Sequence, residues 1–118
     1  MNNKWNIIYW ESKRGASPVY EFIEELEEKD LAKIYNSLEL LEEYGPQIGT
    51  SHSKKLKGFD VWELRILGSS NLRIFYASIP NKSFLLLHGI KKKGQKTPVK
   101  EIKTAQRRFE EYLTENTG

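Results

Sequence analysis

The sequence contains no cysteine and only two histidines, His52 and His88. Without cysteine there is no disulfide framework, no thiol nucleophile and no Cys-ligated zinc, and two isolated histidines do not make a histidine-rich metal site. The glutamates fall at the spacing of exposed helix surfaces, so a carboxylate metal site is not expected either. We therefore predict a protein that uses no metal and no other cofactor.

Long apolar runs are also missing. No stretch approaches the roughly 20 apolar residues of a membrane-spanning helix, and the opening MNNKWNIIYW lacks the apolar core of a signal peptide. We expect no membrane association and a cytoplasmic location. Hydrophobic residues make up 38% of the 118 residues, enough for one core but not for two. We predict a single domain spanning 1–118.

Charge is distributed unevenly along the chain. Residues 1–50 carry a net charge of −5, whereas residues 51–118 carry +8, for a total of +3. Such asymmetry is typical of a protein with one face for a polyanion and the rest kept soluble. A charged, solvated surface without a partner is the alternative at this point.

Three helices are predicted from capping residues and apolar spacing. Ser17-Pro18 opens the first, which carries Val19, Phe22, Ile23 and Leu26 on one stripe. The second begins near Asp30 and ends at Gly45-Pro46, so the two form an N-terminal helical hairpin. Thr97-Pro98 opens the C-terminal helix.

Short β-branched and aromatic segments predict the strands. They are Trp5–Trp10, Val61–Leu67, Leu72–Ala77 and Phe84–Ile90. The polar segment Gln47–Lys57 is predicted as an exposed loop. The order β-α-α-β-β-β-α predicts an α+β fold in which helices pack on an antiparallel sheet.

Cations recur at each strand of the predicted meander. The set comprises Lys54, Lys55, Arg65, Arg73, Lys91, Lys92, Lys93 and Lys96. Whether Arg65 and Arg73 share a face depends on the length of the connection between their strands, which the sequence leaves open. Two neighbouring guanidinium groups repel each other, so the arrangement needs an anion or the nearby Glu63 to offset the cost.

Two uncharged candidates lie in the same strands. His88 interrupts an apolar strand, as either a hydrogen-bonded core histidine or a general acid or base. Gly89 beside it would let a ligand or another backbone approach. Tyr76 either packs in the core or stacks on a base.

No nucleotide-binding glycine motif and no metalloprotease or serine-hydrolase motif occurs. A basic cluster without a metal can cleave a phosphodiester most readily in RNA, where the 2′-hydroxyl is an internal nucleophile beside the phosphorus. Cations would stabilise the added negative charge, and His88 or a lysine would transfer protons. RNA cleavage and simple polyanion binding both remain open from the residues alone.

Five segments resemble the RelE/ParE toxin superfamily, and most closely its HigB-like, phage-derived branch. They are KLxG at 55–58, VWELR at 61–65, LRIFY at 72–76, LHGIxKK at 87–93 and KTPxxEIxxA at 96–105. The similarity runs in order from about Ser17 to Leu113, and HGIKKKxxKTP is its most specific string.

The resemblance implies a RelE-like microbial RNase-type fold and a toxin of a type II toxin-antitoxin system. Such toxins cut mRNA in the ribosome without a metal and are neutralised by a cognate antitoxin, here expected to be a helix-turn-helix, HigA-like protein. By motif, the resemblance implies catalytic roles for Arg65, Arg73, His88 and Lys92 and RNA-binding roles for Lys54, Lys55, Tyr76, Lys91, Lys93 and Lys96.

Two alternatives stay open. ParE-type members of the superfamily poison DNA gyrase, although such poisons typically lack the combined basic and histidine cluster. A non-catalytic RNA- or protein-binding module is the other. Tyr112 has the spacing of a packed residue, which argues against the essential C-terminal tyrosine role known in RelE-type toxins.

Overall fold

The computed structural model describes residues 3–116. Its strands are β1 (Asn6–Tyr9), β2 (Ser53–Lys55), β3 (Trp62–Arg65), β4 (Leu72–Ile79) and β5 (Ser83–Lys91). Its helices are α1 (Pro18–Glu24), α2 (Glu28–Tyr44) and α3 (Val99–Glu115), with a short 3₁₀ helix at Gly45–Ile48. The strands form one sheet in the order β1-β5-β4-β3-β2.

The α+β class, the N-terminal helical hairpin and the C-terminal helix are confirmed. The α2 helix ends at Tyr44 because Gly45 takes a φ of 54° and Pro46 cannot continue the helical hydrogen bonding. It begins at Glu28, two residues before the predicted Asp30. The α1 helix is short, with seven residues, and ends before Leu26.

The prediction of a purely antiparallel sheet is wrong at one edge. β1 pairs with β5 in parallel, so the sheet is mixed. Strand direction is set by where the chain travels between the two strands, and here the whole of α1 to β4 intervenes. Composition and alternation within β1 carry no information about that path.

The prediction of an exposed loop at Gln47–Lys57 also needs correction, because this segment contains β2. The strand has only three residues and pairs antiparallel with β3, opposite 62–64. Its Ser-Lys-Lys sequence has no apolar alternation, so backbone pairing alone makes it a strand. Two exposed lysines at a sheet edge also discourage pairing with another chain.

The sheet separates two hydrophobic cores, because successive side chains along a strand point to opposite faces. On the face covered by α1 and α2, here the α1/α2 face, the buried side chains include Ile23, Ile34, Leu41, Leu64, Ile74 and Leu86. On the opposite α3 face they include Phe75, Leu85, Leu87, Ile102, Ala105 and Phe109.

Gly89 serves this packing. A Cβ at Gly89 would lie 2.5 Å from the ring of Phe22 in α1. The missing side chain therefore lets α1 approach β5 closely, as a glycine in a strand often allows. The close neighbour that the sequence anticipated is a helix of the same chain.

Candidate functional site: a basic groove beside the C-terminal helix

A polar groove lies where β4 begins and β5 ends. Its volume is about 490 Å³. Three cations line it, namely Arg73 from β4 and Lys92 and Lys93 from the segment after β5. The remaining lining residues are Ser70, Asn71, Gly94 and Gln95. Two turns therefore form the walls, and the cations face the same open space.

Arg73 is held firmly at the base of this groove. It is only 9% exposed. Its Nη1 donates to the carbonyl of Leu72 at 2.9 Å and to that of Ser70 at 3.4 Å. Its Nε is buried and has no hydrogen-bond partner among the described residues. The guanidinium is thus fixed by the backbone, and its buried Nε donor is left unsatisfied.

A buried carboxylate lies next to Arg73. Glu63 is 5% exposed, and its Oε2 is 3.9 Å from Arg73 Nε. Thr97, just before α3, donates its hydroxyl to the same Oε2 at 2.5 Å. Glu63 therefore supplies the negative charge that we expected to be needed, and it ties β3 and β4 to the start of α3.

The register settles the relation between Arg65 and Arg73. The two residues are direct cross-strand partners in β3 and β4, so their side chains leave the same face of the sheet. Glu63, two residues before Arg65, also lies on this face. Two guanidinium groups and one carboxylate are consequently neighbours.

A β-bulge redirects His88. Strict alternation would place His88 on the α1/α2 face, like Leu86. However, Tyr76 pairs with Leu86 while Phe75 pairs with His88, which leaves Leu87 without a partner. The imidazole therefore lies on the α3 face, with its centroid 6.0 Å from that of Phe75. Redirecting a side chain is a common role of bulges near functional sites.

Both ring nitrogens of His88 are engaged by α3. Nε2 lies 3.0 Å from Glu101 Oε1, and Nδ1 lies 3.2 Å from Arg108 Nη1. Because a guanidinium only donates, Nδ1 accepts from Arg108 and Nε2 carries the proton that is donated to Glu101. Burial lowers the pKa of His88; the hydrogen bond to Glu101 opposes this shift, and the charge of Arg108 reinforces it. The ring is neutral and tethers β5 to α3.

The sequence reasoning gave no role to Glu101 or Arg108. Arg108 also donates to the carbonyl of Leu87 at 2.8 Å and lies over the ring of Trp10, 5.1 Å from its centroid. Glu101 and Arg108 are seven residues apart, which places them on one face of a helix. That spacing was the available signal, but it could not indicate that His88 would point toward it.

The other predicted cations have different surroundings. Lys92 Nζ donates to the carbonyl of Gln95 at 2.6 Å, which folds the groove wall. Lys54 is exposed on β2, opposite Glu63. Lys55 Nζ donates to the carbonyl of Phe59 at 2.7 Å. Lys96 is exposed in the segment that connects the groove to α3.

Tyr76 does not belong to the groove. It lies on the α1/α2 face, is 4% exposed, and shares a hydrogen bond with Ser53. Burial raises its pKa, and the bond to Ser53 opposes the shift. The ring lines an apolar pocket of about 380 Å³ together with Trp62 and Phe84. Tyr76 is therefore packed in the core, on the opposite face of the sheet from the basic cluster.

Strand register also separates Lys55 and Lys91 from the cluster: Lys55 pairs with Trp62, which lines the pocket on the α1/α2 face. Lys91 is the clearer case. It pairs with Leu72, a member of the α1/α2 core, so its side chain points away from α3. Its Nζ lies 3.5 Å from Asp30 Oδ2. The run of three lysines that looked continuous in the sequence is therefore divided between two faces.

Within 3–116, no three histidine, cysteine, aspartate or glutamate side chains are grouped closely enough to hold a metal ion. None of the helices in this same range has the length and apolar character needed to cross a membrane. The chemistry available in the groove is that of guanidinium, ammonium, amide and hydroxyl groups.

The architecture is compatible with a RelE-like fold: a mixed five-stranded sheet with a helical pair on one face and a C-terminal helix on the other. The family model for phage-derived Gp49-like proteins (DUF891) matches residues 21–110. The chain belongs to this family, which is toxin-like and of RelE/HigB type. No curated protein matches the chain.

Proposed function

We propose that this protein is the toxin of a type II toxin-antitoxin pair and that it cleaves mRNA in the ribosome without a metal. The observation that carries the proposal is the groove in which Arg73, Lys92 and Lys93 meet. A toxin-like family also implies an antitoxin as partner, for which a helix-turn-helix protein of the HigA type is our candidate.

The groove suits one phosphate and its neighbouring sugars. Arg73 is preorganised by its carbonyl contacts, so binding an anion costs it little reordering. Its unsatisfied Nε, buried beside Glu63, marks a guanidinium that has not used all of its donors. Arg65, its cross-strand partner, is exposed and adds a second planar donor for phosphate oxygens.

The proposed reaction is attack of the RNA 2′-oxygen on the adjacent phosphorus. A P–O2′ bond forms, the P–O5′ bond breaks, and the products are a 2′,3′-cyclic phosphate and a 5′-hydroxyl. The proton leaves the 2′-hydroxyl and another is delivered to O5′. Arg73 and Arg65 stabilise the extra charge on the phosphorane, and the ammonium of Lys92 has a proton to give to O5′.

His88 does not line the groove but lies on the same face of the sheet as Arg73. It is the candidate for accepting the 2′-proton, and its lowered pKa favours the neutral ring. To do so at Nδ1, it must exchange Arg108 for the substrate hydroxyl. The reaction therefore predicts that RNA binding loosens the Arg108 contact. The RNA-binding roles assigned to Lys54, Lys55, Lys93 and Lys96 remain part of the proposal.

The test is inducible expression in bacteria with sequencing of RNA 5′ ends and assay of DNA breaks. We expect growth arrest with new mRNA ends inside translated frames, which disappear when ribosomes are stalled before elongation. DNA breaks without RNA ends would instead support a gyrase poison, and absence of toxicity from folded protein would support a non-catalytic module.

Two variants sharpen this test. Arg73→Ala removes the groove's fixed guanidinium, whereas Tyr76→Phe alters a hydroxyl on the opposite face. Growth arrest should be lost in the first and kept in the second. Co-expression of the adjacent reading frame should restore growth to cells that carry the wild-type protein.

A further inference from the structure

A row of cations lies on the outer surface of α3, the helix that comes after the groove in the chain. Lys100, Lys103 and Arg107 are all exposed. Their spacing of three and four residues places them on one face of the helix, about two turns long. The buried stripe of the same helix is formed by Ile102, Ala105 and Phe109. At 100° per residue, the three cations lie directly opposite that stripe.

None of these three cations forms an ion pair within 4 Å among residues 3–116, although Arg107 borders a surface pocket together with Glu110, Glu111 and Glu115. The ion pairs among residues 3–116 involve other cations, namely Lys33, Arg73, His88 and Lys91. Like charges three and four residues apart destabilise a helix slightly. The packing of α3 therefore does not require a row of cations on the side of the helix that faces solvent.

The row follows the groove along the chain. Lys93 lines the groove, and Lys96 lies in the short exposed segment between the groove and α3. Lys100, Lys103 and Arg107 extend the positive surface along the helix. Glu110 and Glu111 end it one turn later. We call Lys100, Lys103 and Arg107 the α3 ridge.

The composition of the α3 ridge identifies the kind of partner. Lysine is depleted at protein–protein interfaces, which need an apolar and aromatic centre, whereas interfaces with nucleic acid are strongly positive. The ridge positions carry no aromatic ring, so they offer nothing on which an unpaired base can stack. Lysine and arginine without base-reading groups contact phosphates irrespective of sequence.

We propose that the α3 ridge binds the phosphate backbone of double-helical RNA, outside the cleavage groove. The inference rests on the proposed function for its setting, since a toxin that works in the ribosome meets RNA helices around the mRNA. The groove then holds the single strand to be cut, and the ridge supplies salt-dependent, sequence-independent attachment.

The experiment measures equilibrium binding of the purified full-length chain to a fully 2′-O-methylated RNA duplex. Fluorescence anisotropy is the readout, over a range of salt concentrations. This probe cannot be cleaved through a 2′-hydroxyl, so binding is measured whether or not the protein is a nuclease. The test variant is Lys100→Gln/Lys103→Gln/Arg107→Gln. The matched control, Lys29→Gln/Lys82→Gln/Arg14→Gln, removes the same charges from exposed sites elsewhere.

We expect the ridge variant to bind at least about tenfold more weakly at low salt, with a log–log salt slope shallower by about 2 to 3, because each lost phosphate contact removes slightly less than one unit. The control variant should bind within about twofold of wild type. The charge-conserving variant Lys100→Arg/Lys103→Arg/Arg107→Lys should keep wild-type binding. Circular dichroism on each variant checks that α3 is still folded.

Equal weakening in the ridge and control variants would overturn the proposal, because net charge alone would then explain binding. Unchanged binding in a folded ridge variant would also overturn it. Binding to poly-L-glutamate is measured in parallel. If the folded ridge variant keeps RNA binding but loses binding to poly-L-glutamate, the α3 ridge is a surface for an acidic protein instead. Failure of the proposed function shows up separately, as absent RNA ends in expressing cells.

Discussion

Two concave regions of the molecule share strands but differ in chemistry. The groove beside α3 contains Arg73, Lys92 and Lys93, whereas the pocket on the α1/α2 face contains Trp62, Tyr76 and Phe84. The difference arises because each strand sends successive side chains to opposite faces. The polarity of each region is therefore decided by strand parity, even where the residues are adjacent in sequence.

Lys91 and Lys92 illustrate this division. Lys92 lines the groove, while its neighbour pairs with Asp30 on the other face. Lys92 can therefore contact a phosphate bound in the groove, whereas Lys91 points to the other face of the sheet. The variants below test whether function follows the groove or the overall charge.

The largest effect is expected for Arg73→Ala. Removing a preorganised donor from a transition-state charge typically costs about 2.7–4 kcal/mol, or 10²–10³ in rate. Growth arrest should therefore disappear, measured as colony formation after induction, with Arg73→Lys giving partial activity. Full toxicity from a soluble, folded Arg73→Ala protein would contradict the proposed role of the groove.

The second-largest effect is expected for Glu63→Gln, on the free energy of unfolding. Breaking a buried ion pair leaves an uncompensated charge and costs about 3–5 kcal/mol, and we expect about 2–4 kcal/mol here because the contact with Arg73 is long at 3.9 Å and an amide oxygen still accepts from Thr97. Urea unfolding measures the loss.

A double-mutant cycle with Arg73→Met separates the pair from simple loss of packing. We expect the two changes together to cost less than the sum of the single changes. Additive losses would show that Glu63 does not act through Arg73.

His88 makes stability depend on pH. Its folded-state pKa lies below the unfolded value, so on acidification the unfolded chain takes up the proton first. Stability is fully present above the unfolded pKa and falls as the pH drops toward the folded pKa, by at most about 1.4 kcal/mol per pH unit.

This slope can be assigned by comparing His52→Gln with His52→Gln/His88→Gln, in which His88 is the only histidine that differs. Unfolding measured between pH 5 and 7 should show a shallower dependence in the double variant. An identical dependence in both would refute the role of the tether to Glu101 and Arg108.

Tyr76→Phe should have a smaller effect, confined to stability. The change leaves Ser53 buried without its partner, at a cost of about 1–2 kcal/mol, and toxicity should be unchanged. Tyr44→Phe, at a residue that is 51% exposed, is the control and should cost less. Loss of toxicity in stable Tyr76→Phe protein would return this tyrosine to the functional site.

Lys91→Gln should have the smallest effect. Its side chain is 56% exposed, and such surface ion pairs contribute between 0 and about 1 kcal/mol. We expect little change in thermal unfolding and unchanged growth arrest, whereas Lys92→Gln should weaken arrest. If the two variants are equally impaired, the division between faces has no functional meaning.

The sequence predicted the helices better than the sheet. Capping residues and the i, i+3, i+4 spacing are local signals, and they placed all three helices within a few residues. The β2 strand escaped notice because Ser53–Lys55 has no alternation to detect, and the parallel pairing of β1 depends on the path of the intervening chain. The family motifs pointed to Arg73 and Lys92, but Glu101 and Arg108 became visible only when α3 docked.

By itself the sequence determined the α+β class, the absence of cysteine chemistry, the basic second part and the identity of the charged groups, because composition and helical periodicity are local properties. Only the tertiary structure decided which of these groups meet. The register between β3 and β4 sets Arg65 opposite Arg73, and the bulge between β4 and β5 turns His88 toward α3. In a sheet, a shift by one residue moves a side chain to the other face, so no local pattern could specify the groove.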